Sequence, residues 1–351
     1  MDQITIKEIA RICNVGVSTV SRAINDHPDI NQETKQKILD TIREYHYIPN
    51  NSARNLKRSQ SRTIAVLVKG ISNPFFGDVI SVIEKEIVRN HYSFILQQVE
   101  ENEDEIEVAI HLEKEKRLKG IIFLGGMIYH SPERFQQLTI PFAVSTVDMK
   151  LPEDIGNGCV ISIDDEKESF RMTEHLIKKG HRRIAVIAAS EEDYSIGISR
   201  LKGYREALKK HGIDYDPSLV RSSDAETIYT ISNGYEVTKK LLASGTSFSC
   251  VYAVSDTLAI GACKALLDAG YRVPEDVSVA GFDGLDIAKY YNPSIATMYQ
   301  PRKQIAEETV KLLFDLLKKK KVPDHVLFDG VLQEGTSVSF PGDPVGLQSA
   351  D

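Results

Sequence analysis

The sequence predicts an α/β protein with a small helical N-terminal domain and a larger body of two doubly wound lobes. Three observations support this fold class. Apolar residues recur at helical spacing through residues 5–47. From Thr63 onward, short apolar runs alternate with amphipathic helices, a pattern typical of parallel α/β architecture. A chain of 351 residues also exceeds the length over which a single hydrophobic core usually grows.

Charge is distributed unevenly along the chain. Residues 1–62 carry ten Lys and Arg against seven Asp and Glu, whereas the remaining residues carry 33 against 43. A small basic end on a large acidic body favours a local contact with a polyanion. No apolar run reaches the roughly 20 residues that span a bilayer, and the N-terminus lacks the pattern of an export signal. We therefore expect a cytoplasmic protein without a membrane partner.

The N-terminal domain is predicted to contain three helices, over residues 5–13, 17–25 and 31–47. Asn14 tolerates the left-handed conformation that a tight turn between helices requires, and Gly16 lies where the second helix is capped. Two short helices joined by a tight turn and supported by a third form a helix-turn-helix. The alternative is a helical hairpin of an ordinary small domain.

In a helix-turn-helix, the second helix enters the major groove and offers its early residues to base edges. Val17 suits a thymine methyl group, Ser18 can donate or accept a hydrogen bond, and Arg22 can pair with guanine through two hydrogen bonds. Hydroxyl and amide groups that suit phosphate contacts are carried by Thr5, Thr19, Ser21, Asn25 and Thr34.

Residues 50–58 form a basic segment around a single leucine, Leu56. The segment is too short to be a stable helix alone, because isolated helices below roughly 12–15 residues are marginal. Such a segment can fold when it meets a negatively charged partner. A leucine between cations suits a wedge that enters the minor groove and kinks the duplex. The alternative is an ordinary basic linker.

The body is predicted to repeat strand–helix units in two similar lobes. A buried strand at 63–68 begins it, an acidic helix occupies 103–118, and a helix at 302–321 precedes strands that return the chain across both lobes. Further strands are predicted at 93–99, 120–124, 141–144, 160–163, 183–188, 219–222, 249–254 and 277–282.

These patterns predict four segments along the chain. They are a helix-turn-helix domain (1–49), a hinge helix and linker (50–62), a core (63–340) and a disordered tail (341–351). Within the core, the first lobe is assigned about 63–161 and 293–321, and the second about 162–292 and 322–340.

Ligands of open α/β sheets bind beyond the carboxyl ends of the strands. The candidate ligand residues are therefore the polar and aromatic side chains that follow predicted strands: Phe75, Phe76, Asp148, Tyr194, Arg200, Tyr229, Asp256 and Asp283. Carboxylates, one arginine and aromatic faces suit a neutral polyol, whose hydroxyl groups need paired donors and acceptors. As alternatives, an Asp after a strand can cap the next helix, and Phe75 and Phe76 can simply pack beneath the cleft.

No catalytic, metal or cofactor site is predicted. The sequence contains no P-loop, G-x-S-x-G or H-E-x-x-H motif. His175 and His181 lack a third ligand in a fitting pattern and are interpreted as surface or loop residues. Widely spaced cysteines predict buried, reduced thiols at Cys13, Cys159, Cys250 and Cys263. Two rival functions are a solute-binding protein without DNA function and an α/β enzyme acting on a sugar or nucleoside.

Several spaced motifs occur in one order along the chain: Thr5 to Ala10, Val17 to Asn25, Thr34, Tyr47-Ile48-Pro49-Asn50 and Ala53-Arg54-x-Leu56. Together they resemble the headpiece and hinge helix of the lactose/galactose-repressor (LacI/GalR) family. The resemblance continues through the chain, apart from about the last ten residues. Gly16 departs from it, because the family more often has a serine at this cap.

For the headpiece, the resemblance implies that Val17, Ser18 and Arg22 read an operator half-site. It also implies that Leu56 is inserted at the central base step. Ala53 would lie beside that leucine, and Tyr47 and Asn50 join the predicted phosphate contacts.

For the body, the resemblance implies a periplasmic-binding-protein-like core with a ligand cleft between its lobes. Arg200 and Asp283 match ligand positions of the family. A sugar or sugar derivative is the first expectation for the effector, with a purine or a partner protein as alternatives. Tyr194 and Ile196 differ from the polar residues that purine-responsive relatives carry there, which disfavours the purine.

The combined prediction is a ligand-responsive transcriptional regulator in the bacterial cytoplasm, associated with the nucleoid. It is expected to be a repressor that binds a pseudo-palindromic operator in double-stranded DNA as a homodimer. A small-molecule effector would set the angle between the lobes, and that angle would set the spacing of the two hinges. The sequence leaves open the effector, inducer against co-repressor, the operator, and dimer against tetramer.

Overall fold

The structure, a computed structural model, divides into two compact units, Met1–Ser61 and Arg62–Asp351. It describes residues 5–24, 27, 29–45, 62–100, 103–126, 132–188, 196–222 and 229–341. The predicted hinge segment, apart from Arg62, and the predicted tail, apart from Pro341, lie outside these ranges.

The N-terminal unit contains three helices: α1 (Ile6–Cys13), α2 (Val17–Ile24) and α3 (Gln32–Glu44). Thr5 caps α1 as predicted, because its side chain accepts from the backbone N–H of Glu8 and its own N–H donates to the Glu8 carboxylate. Asn14 has the left-handed conformation expected of the turn, with φ 55°. The helices share a small core of Ile9, Ala10, Cys13, Val20, Ala23, Ile30 and Ile38.

The larger unit alternates strands and helices along most of its length. Its strands are β1 (Thr63–Lys69), β2 (Ser93–Val99), β3 (Gly120–Leu124), β4 (Phe142–Ser145), β5 (Gly158–Ile163), β6 (Ile184–Ile187), β7 (Val220–Arg221), β8 (Cys250–Ala253), β9 (Ser278–Asp283), β10 (Ala296–Tyr299), β11 (His325–Phe328) and β12 (Val331–Gln333). Its α-helices are α4 (Phe75–Arg89), α5 (Glu105–Lys116), α6 (Asp165–Lys178), α7 (Ile196–Lys210), α8 (Ile231–Ala243), α9 (Asp256–Asp268), α10 (Asp286–Tyr290) and α11 (Arg302–Leu317). Short 3-10 helices occupy 132–137 and 217–219.

Two six-stranded sheets form the two lobes. The first has the order β11-β5-β4-β3-β1-β2 and the second the order β12-β10-β9-β8-β6-β7. All pairings are parallel except that of β10 with β12. The carboxyl ends of the parallel strands therefore meet along one edge of each sheet, where ligand sites of open α/β folds lie.

The chain crosses between the lobes three times, and the crossings differ from the predicted boundaries. β5 and β11 pair with each other in the first sheet, whereas β10 pairs with β9 in the second. The predicted first lobe ends at about 161 and includes all of 293–321, and the predicted second lobe includes all of 322–340. Strands buried on both faces are continuously apolar, so their sequences do not indicate which sheet they join.

The core of the first lobe lies on both faces of its sheet, as the alternation of side chains along β1 illustrates. Val66 and Val68 pack with α4 and α11 in a core that continues into the second lobe. Ala65 and Leu67 face the opposite side, in a cluster that includes Ile106 of α5. β1 is consequently buried from Ile64 to Lys69, as a strand in a parallel sheet covered by helices should be.

All four cysteines are free and buried, as predicted. His181 lies in a loop, as interpreted, but it does not lie at the surface. Its ring is fully buried, with Nδ1 2.8 Å from the Ser249 hydroxyl and Nε2 3.0 Å from the carbonyl oxygen of Ser339. A loop position in the sequence does not reveal that the C-terminal segment covers it.

Glycines let α8 and α9 approach closely. A Cβ at Gly261 would lie 2.1 Å from the carbonyl oxygen of Ile231, and one at Gly234 would lie 2.3 Å from that of Leu258. Both obstacles are backbone atoms, which cannot move aside as a flexible side chain can.

Gly261→Ala is expected to destabilise the protein by about 1–3 kcal/mol, because the added methyl group overpacks this helix contact. Gly77→Ala in α4 is the control, since a Cβ there would meet nothing within 4 Å; it should be neutral or stabilising by up to about 1 kcal/mol. Chemical denaturation of both variants measures the difference. Equal stability of the two would contradict the close approach of α8 and α9.

Candidate functional site

One face of α2 is exposed and carries the predicted base-reading side chains. Val17 is 42% exposed, and Ser18 and Arg22 are also exposed. Val20 and Ala23, on the opposite face, are buried against α1 and α3. The helix can therefore present its early residues to a partner without disturbing the core of the headpiece.

The predicted phosphate contacts that the structure describes all lie at least partly at the surface. Thr5 and Ser21 are exposed, and Thr19 and Thr34 are half-buried. The Thr5 hydroxyl also donates to Glu8 at 2.9 Å, so it has a structural role as the helix cap. The remaining predicted DNA contacts lie outside the described residues: Asn25, Tyr47, Asn50, Ala53 and Leu56.

In the larger unit, Arg200 of α7 is the centre of a buried polar network at the carboxyl edge of the second sheet. It is 1% exposed. Its Nε donates to Asp165 at 2.8 Å, and its Nη1 donates to the Val254 carbonyl at 2.6 Å and to Asp283 at 3.2 Å. The guanidinium carbon lies 3.7 Å from the centre of the Phe282 ring. The arginine is thus fixed by groups on α6 and β9 and by the carbonyl that follows β8.

Asp283 ends β9 with a backbone conformation that few residues other than glycine adopt, φ 117°. Such strain persists only where the surroundings enforce it, and it is common at ligand sites. Its Oδ1 accepts from Arg200 and, at 2.8 Å, from the side-chain amide of Gln300. Its Oδ2 is buried without a hydrogen-bond partner among the described residues. Burial raises the pKa of this carboxyl, and the charge of Arg200 opposes that shift.

Asp256, at the start of α9, is fully buried beside Asp283. Its two oxygens accept from the Thr297 hydroxyl at 2.6 Å and from the Leu285 N–H at 2.7 Å. Burial, reinforced by the charge of Asp283, raises its pKa to about 8. Ser255 caps the helix instead, because its side chain accepts from the N–H of Leu258.

Of the predicted aromatic residues, the structure describes Phe75, Phe76 and Tyr229. Phe75 and Phe76 are buried at the start of α4, with ring centres 5.5 Å apart in an edge-to-face arrangement. Their burial and mutual contact fit the alternative role of packing. Tyr229 is half-buried and lies close enough to Arg200 to influence the pKa of its guanidinium. Tyr194 lies outside the described residues.

Asp148 makes none of the hydrogen bonds described for the Arg200 network, although its charge contributes to raising the pKa of Asp165. Its carboxylate is 3.1 Å from Nε2 of His325, and its pKa is raised by burial, against the opposing charge of that histidine. It lines a groove of about 490 Å³ together with Asp164, Glu166, Lys167, Phe170, Ser199 and Glu206. The structure therefore does not bring all the predicted ligand residues to one point.

Sequence reasoning missed two members of the network, Asp165 and Gln300. Asp165 is the residue after Asp164, the strand-end carboxylate that caps α6 through the N–H of Lys167. Burial raises the pKa of Asp165 to about 6, although the charge of Arg200 opposes the shift. Gln300 follows β10, so the strand-end rule finds it once β10 is recognised as a strand.

Within the described ranges, no group of three or more His, Cys, Asp or Glu side chains could hold a metal ion. In the same part of the chain, no helix combines the length and the apolar character needed to cross a membrane.

Comparison with known proteins identifies both units. Residues 5–50 match the bacterial regulatory proteins of the lacI family, and residues 173–338 match the periplasmic binding protein-like domain. The HTH-type transcriptional regulator MalR of Clostridium butyricum is 41% identical over 95% of this chain and 98% of its own length. This chain belongs to the LacI family. It is a ligand-responsive transcriptional regulator and not an enzyme.

Two further regulators are similar to this chain over most of its length at lower identity. The HTH-type transcriptional repressor CytR of Escherichia coli is 30% identical over 91% of each chain. The structure of the transcriptional regulator CelR in complex with cellobiose is 27% identical, with a TM-score of 0.69 over 95% of this chain and 99% of that one. The predicted LacI-type fold, a helix-turn-helix headpiece with a periplasmic-binding-like core, is confirmed.

Asp256→Asn is expected to alter how stability depends on pH. A carboxyl with a folded pKa of about 8 and an unfolded pKa of about 3.9 takes up protons on folding between those values. Its contribution to stability therefore falls as pH rises through this window, by up to about 1.4 kcal/mol per pH unit. The asparagine side chain of the variant does not titrate, so the variant lacks this loss. Its free energy of unfolding relative to that of the wild type, measured by urea denaturation, should therefore be higher at pH 8 than at pH 6.

The matched control is Asp276→Asn. Hydrogen bonds from Arg272 hold the pKa of Asp276 at about 2, so this carboxyl is ionised at both pH values and its variant should differ from the wild type equally at each. The same constant difference for Asp256→Asn would contradict the raised pKa of Asp256.

Proposed function

We propose that the regulator is a repressor that binds a pseudo-palindromic operator as a homodimer and responds to a neutral sugar bound between its lobes. The location that follows from this function is the bacterial cytoplasm, at the nucleoid. The repressor activity is supported by the relationship to CytR, a transcriptional repressor.

Base recognition is assigned to Val17, Ser18 and Arg22. The supporting observation is that all three project from the exposed face of α2 while the opposite face is buried. Each suits a different feature of a major-groove base edge. The remaining assignments stay predictions: phosphate contacts by Thr5, Thr19, Ser21, Asn25, Thr34, Tyr47 and Asn50, a minor-groove wedge at Leu56 with Ala53 beside it, and the hinge at 50–62.

Effector binding is assigned first to Arg200 and Asp283, and the observation that supports it is the unused Oδ2 of Asp283. A buried carboxylate oxygen without a donor is costly, and a ligand hydroxyl group would supply the donor. A sugar offers several hydroxyl groups together with an apolar face that Phe75, Phe76, Tyr194 and Tyr229 can cover. CelR, a relative of the same architecture, binds cellobiose.

Asp256 and Asp148 receive different assignments from Asp283. Both oxygens of Asp256 already accept hydrogen bonds, so we assign it a supporting role, in which it positions Leu285 and Thr297 beside the ligand. Asp148 lies in the separate groove, paired with His325, and would contact only a ligand long enough to reach across from Arg200.

Arg22→Ala is expected to weaken operator binding by about 1–3 kcal/mol, because a bidentate contact with guanine is lost. Binding to random duplex should change much less, since that binding depends on phosphate contacts. The measurement compares a selected palindromic duplex with random DNA at one salt concentration.

Arg43→Ala is the charge-matched control, because Arg43 is exposed at the end of α3 and is assigned no base. Arg43→Ala should change the affinity for the palindromic duplex and for random DNA by the same factor. If Arg22→Ala also changes both affinities by the same factor, α2 is not the recognition helix.

Thermal denaturation of the full-length protein against neutral mono- and disaccharides, including cellobiose, tests the effector. At a concentration 100 times its Kd, a ligand stabilises by about 2.7 kcal/mol, which is a rise in Tm of about 5 °C for a core of this size. Asp283→Asn should abolish the rise, whereas Asp286→Asn, an exposed carboxylate nearby, should retain it. A purine as the sole active compound, or an equal rise in both variants, would overturn the sugar proposal.

A further inference from the structure

Arg302, a residue that the effector assignment does not use, joins the two lobes. It is the first residue of α11, and this helix packs on the first lobe against α4, β4 and β5. Its side chain is only 8% exposed. Its Nη1 donates to the carbonyl oxygens of Asp283 at 3.2 Å and Gly284 at 2.9 Å, both in the second lobe. Its Nη2 lies 3.3 Å from the carboxylate of Asp78 in α4.

We propose that Arg302 is a latch between the lobes, whose guanidinium holds the backbone beside the effector carboxylate of Asp283 to Asp78 of the first lobe. The planar guanidinium has several N–H groups in a fixed fork, so it can hold the two carbonyls and the carboxylate simultaneously. Rotation of one lobe about the crossings changes the distance between the carbonyls and Asp78. The latch therefore favours the lobe arrangement in which all three contacts are made.

The two carbonyls belong to peptide groups that also shape the effector site. The peptide group of the Asp283 carbonyl includes the N–H of Gly284, which donates to the Thr297 hydroxyl at 3.2 Å. The peptide group of the Gly284 carbonyl includes the N–H of Leu285, which donates to Asp256 at 2.7 Å. Arg302 and these acceptors thus hold the same two peptide planes from opposite sides.

The surroundings allow these planes little freedom. Asp283 and Gly284 both have positive φ, 117° and 71°, and a Cβ at Gly284 would lie 2.6 Å from the Tyr299 ring. The ring centres of Tyr299 and Phe75 lie 5.6 Å and 6.0 Å from the Arg302 guanidinium carbon. A movement at Asp283 is consequently passed to Arg302 instead of being absorbed by a flexible loop.

A ligand bonded to the Asp283 carboxylate would act on the latch through this backbone. That step rests on the proposed function, because it needs a ligand at Asp283. The latch itself depends only on contacts within the chain, so it can be tested without DNA and without a ligand.

Amide hydrogen exchange in the full-length protein tests the latch, with peptides that report the amides of Gly284 and Leu285. Asp78→Asn removes the charge at the first-lobe end while leaving the second lobe unaltered, and Asp78 is 66% exposed, so the variant should fold. An exposed ion pair of this kind changes an equilibrium by up to about fivefold. We expect exchange of both amides to accelerate by about twofold to fivefold.

Two further variants make the outcome decisive. Glu84→Gln removes an exposed carboxylate from the same helix and should leave both rates unchanged. Arg302→Met keeps the apolar stem but removes every donor, and should accelerate exchange at least as much as Asp78→Asn. If Arg302→Met accelerates exchange and Asp78→Asn does not, Arg302 stabilises only the backbone at Asp283 and Gly284 and its contact with Asp78 contributes nothing. That result would refute the latch. Failure of the sugar or operator assignments would leave these rates unaffected.

Discussion

The pairing of Arg200 with Asp165 and Asp283 is the interaction on which the geometry of the cleft depends. Removing a guanidinium and two carboxylates from water costs several kcal/mol per ion, and only well-formed pairs and hydrogen bonds offset that cost. Arg200 meets these demands with partners at 2.8 Å and 3.2 Å and with the carbonyl of Val254. Because the partners lie on α6, on β9 and after β8, the network holds these elements in one arrangement.

The same network leaves one carboxylate oxygen of Asp283 without a hydrogen-bond partner in the part of the chain that the structure describes. Oδ1 of Asp283 is shared by Arg200 and Gln300, whereas Oδ2 has no donor among the described residues. Asp256, next to it, has both oxygens occupied. Asp256 therefore supports the backbone, whereas Asp283 can accept a hydrogen bond from a bound molecule. A sugar hydroxyl group is a suitable donor for that bond.

How much the sequence predicted can be judged from particular residues. Capping by Thr5, the left-handed Asn14 and the outward face of α2 were predictable, because each depends on neighbours within a few positions. The strand-end rule predicted Arg200 and Asp283 beyond the carboxyl ends of strands, where the structure has them, but missed Asp165 and Gln300. It also could not reveal that Arg302 reaches the carbonyls of Asp283 and Gly284, since that contact needs the positions of two lobes.

The sequence by itself determined the family, the order of most helices and strands, and the residue types available for DNA and for a polyol, because periodicity and motifs are local properties of the chain. Only the tertiary structure decided which strands share a sheet, since β5, β10 and β11 are short segments that periodicity cannot assign to either lobe. It also decided which carboxylates are occupied and which is unused. The sheet that a strand joins and the hydrogen bonds that a carboxylate accepts both depend on contacts between residues far apart in the chain. Local sequence patterns do not contain the energies of those contacts.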